Sequence, residues 1–217
     1  MNQTRAKTVL SIESAILGGS VALSTPNGEV RSSLGTTGVS RAEDLLINTK
    51  LLLEESSINT SDIDGIVVSI GPGSFTGIRI GVATAKGLAT ALDIEVNAVS
   101  LLASMACVSG IIGIVAACVP VGRGMFCGEI FEVTETKMVT LVAAEPIPGV
   151  ELQNWLRTNN IRQIAGVREH FIDTFDLADH QFIEVNACLA EVILAASLDA
   201  RIETNVEPIF ISKSTSV

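Results

Sequence analysis

The start of the chain alternates apolar and polar positions in short runs that predict strands. The runs cover residues 8–12, 20–24 and 29–34, and they are rich in β-branched side chains. Pro26-Asn-Gly28 separates the last two runs, and an Asn-Gly pair between alternating segments is typical of a hairpin. The chain is therefore predicted to open with three strands in succession.

A helical period replaces the alternation after residue 40. Ser40-Arg-Ala-Glu43 matches a capping box, in which the first and fourth side chains satisfy backbone amides at a helix start. The predicted helix covers residues 41–55. One broad face carries its apolar side chains, which are Leu45, Leu46, Leu52 and Leu53 with Thr49 among them.

A buried strand, a glycine-rich turn and a second helix follow. The run Gly65-Ile-Val-Val-Ser-Ile70 is short, apolar and β-branched, as expected of a buried strand. The turn after it consists of Gly71, Pro72 and Gly73. Glycine accepts positive φ and proline donates no backbone hydrogen bond, so the chain can reverse tightly there. Ser74 or Thr76 is then the natural N-cap of the helix.

The second helix carries small residues at every fourth position. These are Gly77, Gly81, Ala85 and Ala89, and Ile78, Val82, Leu88 and Leu92 supply apolar surface around them. Glycine inside a helix costs roughly 1 kcal/mol relative to alanine. Two glycines on one ridge therefore indicate that another backbone approaches the helix closely.

A glycine-rich turn at a helix start is also a common phosphate cradle. The Walker pattern fails here because Lys86 lies well inside the helix, and the dinucleotide fingerprint fails because the third glycine, Gly77, comes one residue late. The spacing favours a packing turn, and a phosphate loop stays open as the alternative.

The second half has a weaker pattern. Strands are predicted at residues 93–97, 113–119, 125–133, 137–143 and 163–166. Helices are predicted at 149–157 and 188–198, and a further helix, which Ser100 is expected to cap, runs through Val108. Three of these strands echo the three that open the chain. We therefore predict two units, residues 1–101 and 102–217.

Composition narrows the possible partners and compartment. The 217 residues are 47% hydrophobic and carry a formal net charge of -10, which disfavours a direct grip on a nucleic acid backbone. The four cysteines form no CxxC pair, as expected of buried free thiols in a reducing cytosol. The longest apolar run, residues 111–121, is too short to cross a bilayer. These features predict a soluble cytoplasmic protein.

Residues for catalysis or metal binding are scarce. His170 and His180 are the only histidines, and we expect both at the surface. Neither a metal motif nor a Ser-His-Asp arrangement can be assembled from them. Arg79 opposes the dipole of the second helix, so its partner is expected to be a carboxylate of this chain or of another subunit. The sequence predicts no catalytic and no metal-binding residue.

The glycine-rich segment carries a family resemblance. Gly71-Pro-Gly-Ser-Phe-Thr-Gly-Ile-Arg-Ile-Gly81, followed by Ala85-Lys-Gly-Leu-Ala89, resembles the signature of the bacterial TsaB family. These are the tRNA threonylcarbamoyladenosine biosynthesis proteins also labelled YeaZ or M22 glycoprotease-like. Leu10-Ser-Ile-Glu-Ser14 and Glu43-Asp-Leu-Leu46 are similar in kind and order, and the likeness covers nearly all of residues 7–105.

The resemblance implies a fold and a role. The fold is α/β, with two ribonuclease-H-like lobes of the actin-like ATPase (ASKHA) superfold, each a mixed sheet with helices on both faces. The implied role is that of a non-catalytic subunit that dimerises with its paralogue TsaD and works with the ATPase TsaE. That complex transfers threonylcarbamoyl to N6 of the adenosine next to the anticodon in ANN-decoding tRNAs. The resemblance implies that tRNA, ATP and Mg are met only through the complex, and that the chain forms a homodimer when alone.

The resemblance also places the pairing surface on the first two helices. The implied pairing residues are Leu45, Leu46, Leu52, Leu53, Gly77, Ile78, Gly81, Val82, Ala85 and Ala89. The implied glycine-rich loop comprises Gly71, Pro72, Gly73, Ser74, Thr76 and Arg79.

Two positions depart from the family pattern. Glu13-Ser-Ala15 stands where the family has Asp-Thr-Ser, and Val121-Gly-Arg123 stands where it has Asp-Ala-Arg. The second change removes a carboxylate that a magnesium site would use. Glu13 is expected at a strand end facing the cleft between the lobes, either solvated or bonded to nearby amides. The alternative function is a stand-alone nucleotide-binding phosphotransferase of the same superfold.

Overall fold

The described part of the protein contains two five-stranded mixed sheets. The structure is a computed structural model, and it describes residues 7–16, 18–35, 41–171 and 180–204. The first half consists of β1 (Val9–Glu13), β2 (Ser20–Ser24), β3 (Val30–Leu34), α1 (Arg41–Glu55), β4 (Gly65–Ser69), α2 (Phe75–Leu92), β5 (Val96–Val99) and α3 (Leu101–Val108). The second half consists of β6 (Gly113–Gly122), β7 (Met125–Val133), β8 (Met138–Pro148), α4 (Leu152–Thr158), β9 (Gln163–Gly166), β10 (Gln181–Glu184) and α5 (Leu189–Ser197).

The first sheet has the order β3-β2-β1-β4-β5. The opening strands pair antiparallel, and β4 and β5 join them in parallel because a helix crosses over before each. Helices α1 and α2 cover one face. Their buried side chains, including Leu45 and Leu52, pack on Leu10, Ile12 and Leu23 of the sheet.

The other face of the first sheet is covered by α5, which comes from the end of the described chain. The hydroxyl of Ser11 donates to the carbonyl of Ala190 at 2.8 Å, and the amide of Ala190 donates to Ser20 Oγ at 2.9 Å. Leu194 packs on Ala22 in the same layer. The division at residue 101 therefore stays a proposal, since an element of the second half packs on the first sheet.

The second sheet has the order β10-β9-β6-β7-β8. Strands β6, β7 and β8 form an antiparallel meander, and β9 and β10 are added in parallel. Helices α3 and α5 pack against one face, and α4 covers the other through Leu152 and Leu156.

Several element boundaries differ from the sequence prediction. β5 begins at Val96 because Asp93, with φ 55°, ends α2 in a left-handed conformation. β8 continues to Pro148, and β10 was not predicted. Ser40 of the predicted capping box lies outside the described residues. All four cysteines are buried and free, as predicted.

A helix that spans a bilayer must be long enough to cross the hydrocarbon core and apolar along its length. Within the described ranges, no helix meets both requirements.

Candidate functional site

Glu13 ends β1 and turns its carboxylate back onto its own loop. The side chain is 1% exposed, and Oε1 accepts the backbone N–H of Ala15 at 2.6 Å and of Ile16 at 3.0 Å. Of the two alternatives for Glu13, bonding to nearby amides is the one observed.

The glycine-rich turn packs directly on this loop. Ser74 N donates to Ala15 O at 2.7 Å, and a Cβ on Gly73 would lie 2.5 Å from the same oxygen. Ser74 is the N-cap of α2, since its Oγ accepts the N–H of Gly77 at 3.2 Å, whereas Thr76 is exposed. Because the Ser74 amide already donates within the chain, the geometry favours a packing turn over a phosphate loop.

The small-residue ridge of α2 packs against the loop that follows β1. Ser14 Oγ donates to the carbonyl of Gly77 at 2.8 Å, and a Cβ on Gly81 would collide with Ser14 Oγ. Farther along the ridge, Ala85 and Ala89 lie in the core beneath α2. The close approach that the glycines indicate is thus made by this chain's own β1 loop.

The structure places most of the implied pairing residues in the interior. Those that are buried are Leu45, Leu52, Leu53, Gly77, Ile78, Gly81, Ala85 and Ala89. Val82 is half-buried, and Leu46 is 52% exposed. Pairing itself stays a prediction, and the side chains available for it are the exposed ones of the same helices, Leu46 among them.

α1 offers such side chains. Leu46, Ile47 and Leu51 are 52%, 54% and 47% exposed, and we call these three the exposed α1 face. The sequence reasoning identified Leu46 and missed Ile47 and Leu51. The signal was present, because α1 carries more apolar residues than the one stripe that a surface helix normally buries.

The N-terminal turn of α2 adds an exposed aromatic residue. Phe75 is 54% exposed, and the guanidinium carbon of Arg79 lies 4.9 Å from the centre of its ring. This distance is that of a cation–π contact. The contact holds two large side chains together at the surface.

Among the described residues, the other titratable groups of note are two histidines and a buried glutamate. His170 and His180 are half-buried, contrary to the surface position expected, and burial lowers the pKa of His170. Burial raises the pKa of Glu129 on β7, whose Oε1 accepts a hydrogen bond from Thr140. In the part of the chain that the structure describes, no three histidines, cysteines or carboxylates cluster as metal ligands.

Comparison with known proteins places these features in context. The family model of TsaD, tRNA N6-adenosine threonylcarbamoyltransferase, matches residues 40–133. The tRNA threonylcarbamoyladenosine biosynthesis protein TsaB of Bacillus subtilis is 51% identical over 55 residues, which is 25% of this chain and 24% of that protein. TsaB of Escherichia coli is 34% identical over 98 residues, which is 45% of this chain and 42% of that protein. The matches thus span less than half the length of these relatives.

The fold has a solved counterpart. The structure of YeaZ from Pseudomonas aeruginosa superimposes with a TM-score of 0.70 at 22% identity, covering 95% of this chain and 100% of that one. A second Pseudomonas aeruginosa structure, described as similar to peptidase YEAZ, gives 0.68 at 23% identity with the same coverage. At these identities the likeness shows the fold.

The two mixed sheets and their helices define an α/β fold that is shared with YeaZ. The TsaD family model and the TsaB relatives support a TsaB/YeaZ family assignment over the matched part of the chain.

Proposed function

We propose that this chain is an accessory, non-catalytic subunit in the biosynthesis of threonylcarbamoyladenosine in tRNA. In this proposal it dimerises with a TsaD paralogue and activates it, while TsaD carries out the transfer to N6 of adenosine. TsaE, tRNA, ATP and Mg join through the complex, in the cytoplasm. The names of the TsaB relatives and the TsaD family match support this role.

The exposed α1 face is the observation that carries the proposal. Three large aliphatic side chains, Leu46, Ile47 and Leu51, are each about half exposed on a helix whose other side is in the core. Completing the burial of one such side chain contributes roughly 1 kcal/mol. A partner that covers all three side chains therefore gains several-fold in affinity from each.

The buried groups support a non-catalytic role. The Glu13 carboxylate is committed to two amides of its own loop, and the Ser74 amide is committed to Ala15. A phosphotransferase would need such groups for phosphate and metal. The stand-alone phosphotransferase is for this reason the weaker alternative.

Reconstitution tests the proposal. TsaD, TsaE, tRNA and the threonylcarbamoyl donor are combined with or without this chain, and threonylcarbamoyl incorporated into tRNA is measured. We expect incorporation to depend on this chain and to reach a plateau at one copy per TsaD. Equal incorporation without the chain would contradict the accessory role, and turnover of ATP by the chain alone would favour the alternative.

A further inference from the structure

The loop after β1 already contains an anion. Two consecutive backbone amides, Ala15 and Ile16, converge on a single carboxylate oxygen of Glu13, whose side chain is 1% exposed. Successive N–H groups that point into one concavity are a common way for proteins to hold a bound anion. Here a side chain of the same loop supplies the negative charge.

The same loop holds the start of α2. The carbonyl of Ala15 accepts the amide of Ser74, and the hydroxyl of Ser14 donates to the carbonyl of Gly77. Gly73 and Gly81 leave no room for a side chain between loop and helix. Any shift of the loop is therefore transmitted to the N-terminal turn of α2, where Phe75 and Arg79 are exposed.

We propose that the Glu13 carboxylate is a built-in anion that fixes the β1 loop, and through it the start of α2, in the position used for pairing. Charge-assisted hydrogen bonds are stronger than neutral ones, and buried amides without an acceptor are costly. Glu13 is thus a positioning residue, because its carboxylate accepts the two loop amides that could otherwise bind a phosphate. The pairing part of this inference rests on the proposed function, whereas the anion part does not.

Chemical rescue tests the anion part. Glu13→Ala removes the carboxylate and leaves both amides without their acceptor, so we expect the melting temperature to fall by several degrees. Millimolar inorganic phosphate is expected to restore part of the loss, because an anion that binds only the folded state stabilises it. The wild-type chain, whose cradle is filled, should show no such shift.

Two further variants separate charge from packing. Glu13→Gln keeps an acceptor oxygen on a side chain of the same length. Its melting temperature should lie between those of the wild type and Glu13→Ala. Ser14→Ala removes the hydrogen bond to Gly77 and leaves the carboxylate in place, so it should lose stability that phosphate does not restore. Equal phosphate shifts in all four proteins, or none in Glu13→Ala, would overturn the inference.

Affinity for TsaD distinguishes a positioning role of Glu13 from a role in stability alone. At a temperature where both proteins are folded, Glu13→Ala should bind TsaD about tenfold more weakly than the wild type, and phosphate should recover the affinity. Unchanged affinity in folded Glu13→Ala contradicts the positioning role. If wild type fails to bind TsaD, the proposed function fails, while the phosphate shift still decides the anion part.

Discussion

Ser14 and Gly81 lie in direct contact across the junction between the β1 loop and α2. A Cβ on Gly81 would collide with Ser14 Oγ, which is itself held by its hydrogen bond to the carbonyl of Gly77. The glycine is therefore required by the interior of this chain.

Enlarging Gly81 is expected to destabilise the fold. Overpacking of this kind costs roughly 1–3 kcal/mol, so Gly81→Ala should lower the free energy of unfolding by about that amount in urea titrations. Gly81→Leu should cost more, because its larger side chain would collide with more of the β1 loop.

Gly87 provides the matched control on the same helix. No atom lies within 4 Å of a Cβ placed there, and the residue is exposed. Gly87→Ala should therefore stabilise the protein by about 1 kcal/mol.

Adding Ser14→Ala to Gly81→Ala should relieve the collision. If the double variant is no more stable than the sum of the two single changes, the contact is not the cause.

Glu129 should make stability depend on pH. Burial raises its pKa in the folded state above the ordinary value, so the folded protein holds this proton more tightly than the unfolded chain. The protonated Glu129 contributes fully to the free energy of unfolding at pH values below its pKa in the unfolded chain. That contribution is lost as the pH rises through its higher pKa in the folded protein. Glu129→Gln, which keeps an acceptor for Thr140, should therefore be more stable than wild type at neutral pH and not at pH 4.

Glu132 on the same strand is exposed and serves as the control. Glu132→Gln should give the same urea midpoint as the wild type at both pH values. A stabilisation by Glu132→Gln equal to that of Glu129→Gln would mean that net charge, and not burial, is responsible.

The cysteines are expected to be unreactive in the folded protein. All four are buried, and desolvation raises the pKa of Cys127 to about 12 and of Cys107 to about 11. The thiolate is the reactive form, so a thiol reagent at pH 8 should label none of them quickly. Labelling after unfolding should reach all four, and fast labelling before it would show that the packing around these thiols opens readily.

Much of the fold could be predicted because local signals agree with the tertiary structure. The Asn-Gly turn, the Ser74 and Ser100 caps and the strand at 163–166 all appear as expected. β10 was missed because Gln181–Glu184 is too short and too polar for its pattern to be distinguished from a loop. Its place in the sheet comes from pairing with β9, which is a non-local contact.

The candidate surface was only partly predictable for a different reason. Hydrophobic periodicity identifies the apolar face of a helix. It does not show whether that face packs against this chain or against a partner. Leu52 and Ile78 satisfy the pattern by packing inside, whereas Ile47 and Leu51 flank the predicted stripe and are exposed. The small-residue ridge likewise predicted a close contact, but the sequence did not identify Ser14 as the neighbouring residue.

The exposed α1 face is proposed to bind TsaD, and the affinities of two glutamate variants test this most directly. Leu46→Glu places a charge in the exposed α1 face, and Leu141→Glu makes the same change on β8, where the leucine is 49% exposed. In sedimentation titrations against TsaD, we expect Leu46→Glu to weaken binding by at least about a hundredfold, roughly 2.7 kcal/mol, and Leu141→Glu to bind like the wild type. Wild-type affinity in a folded Leu46→Glu variant would contradict the account.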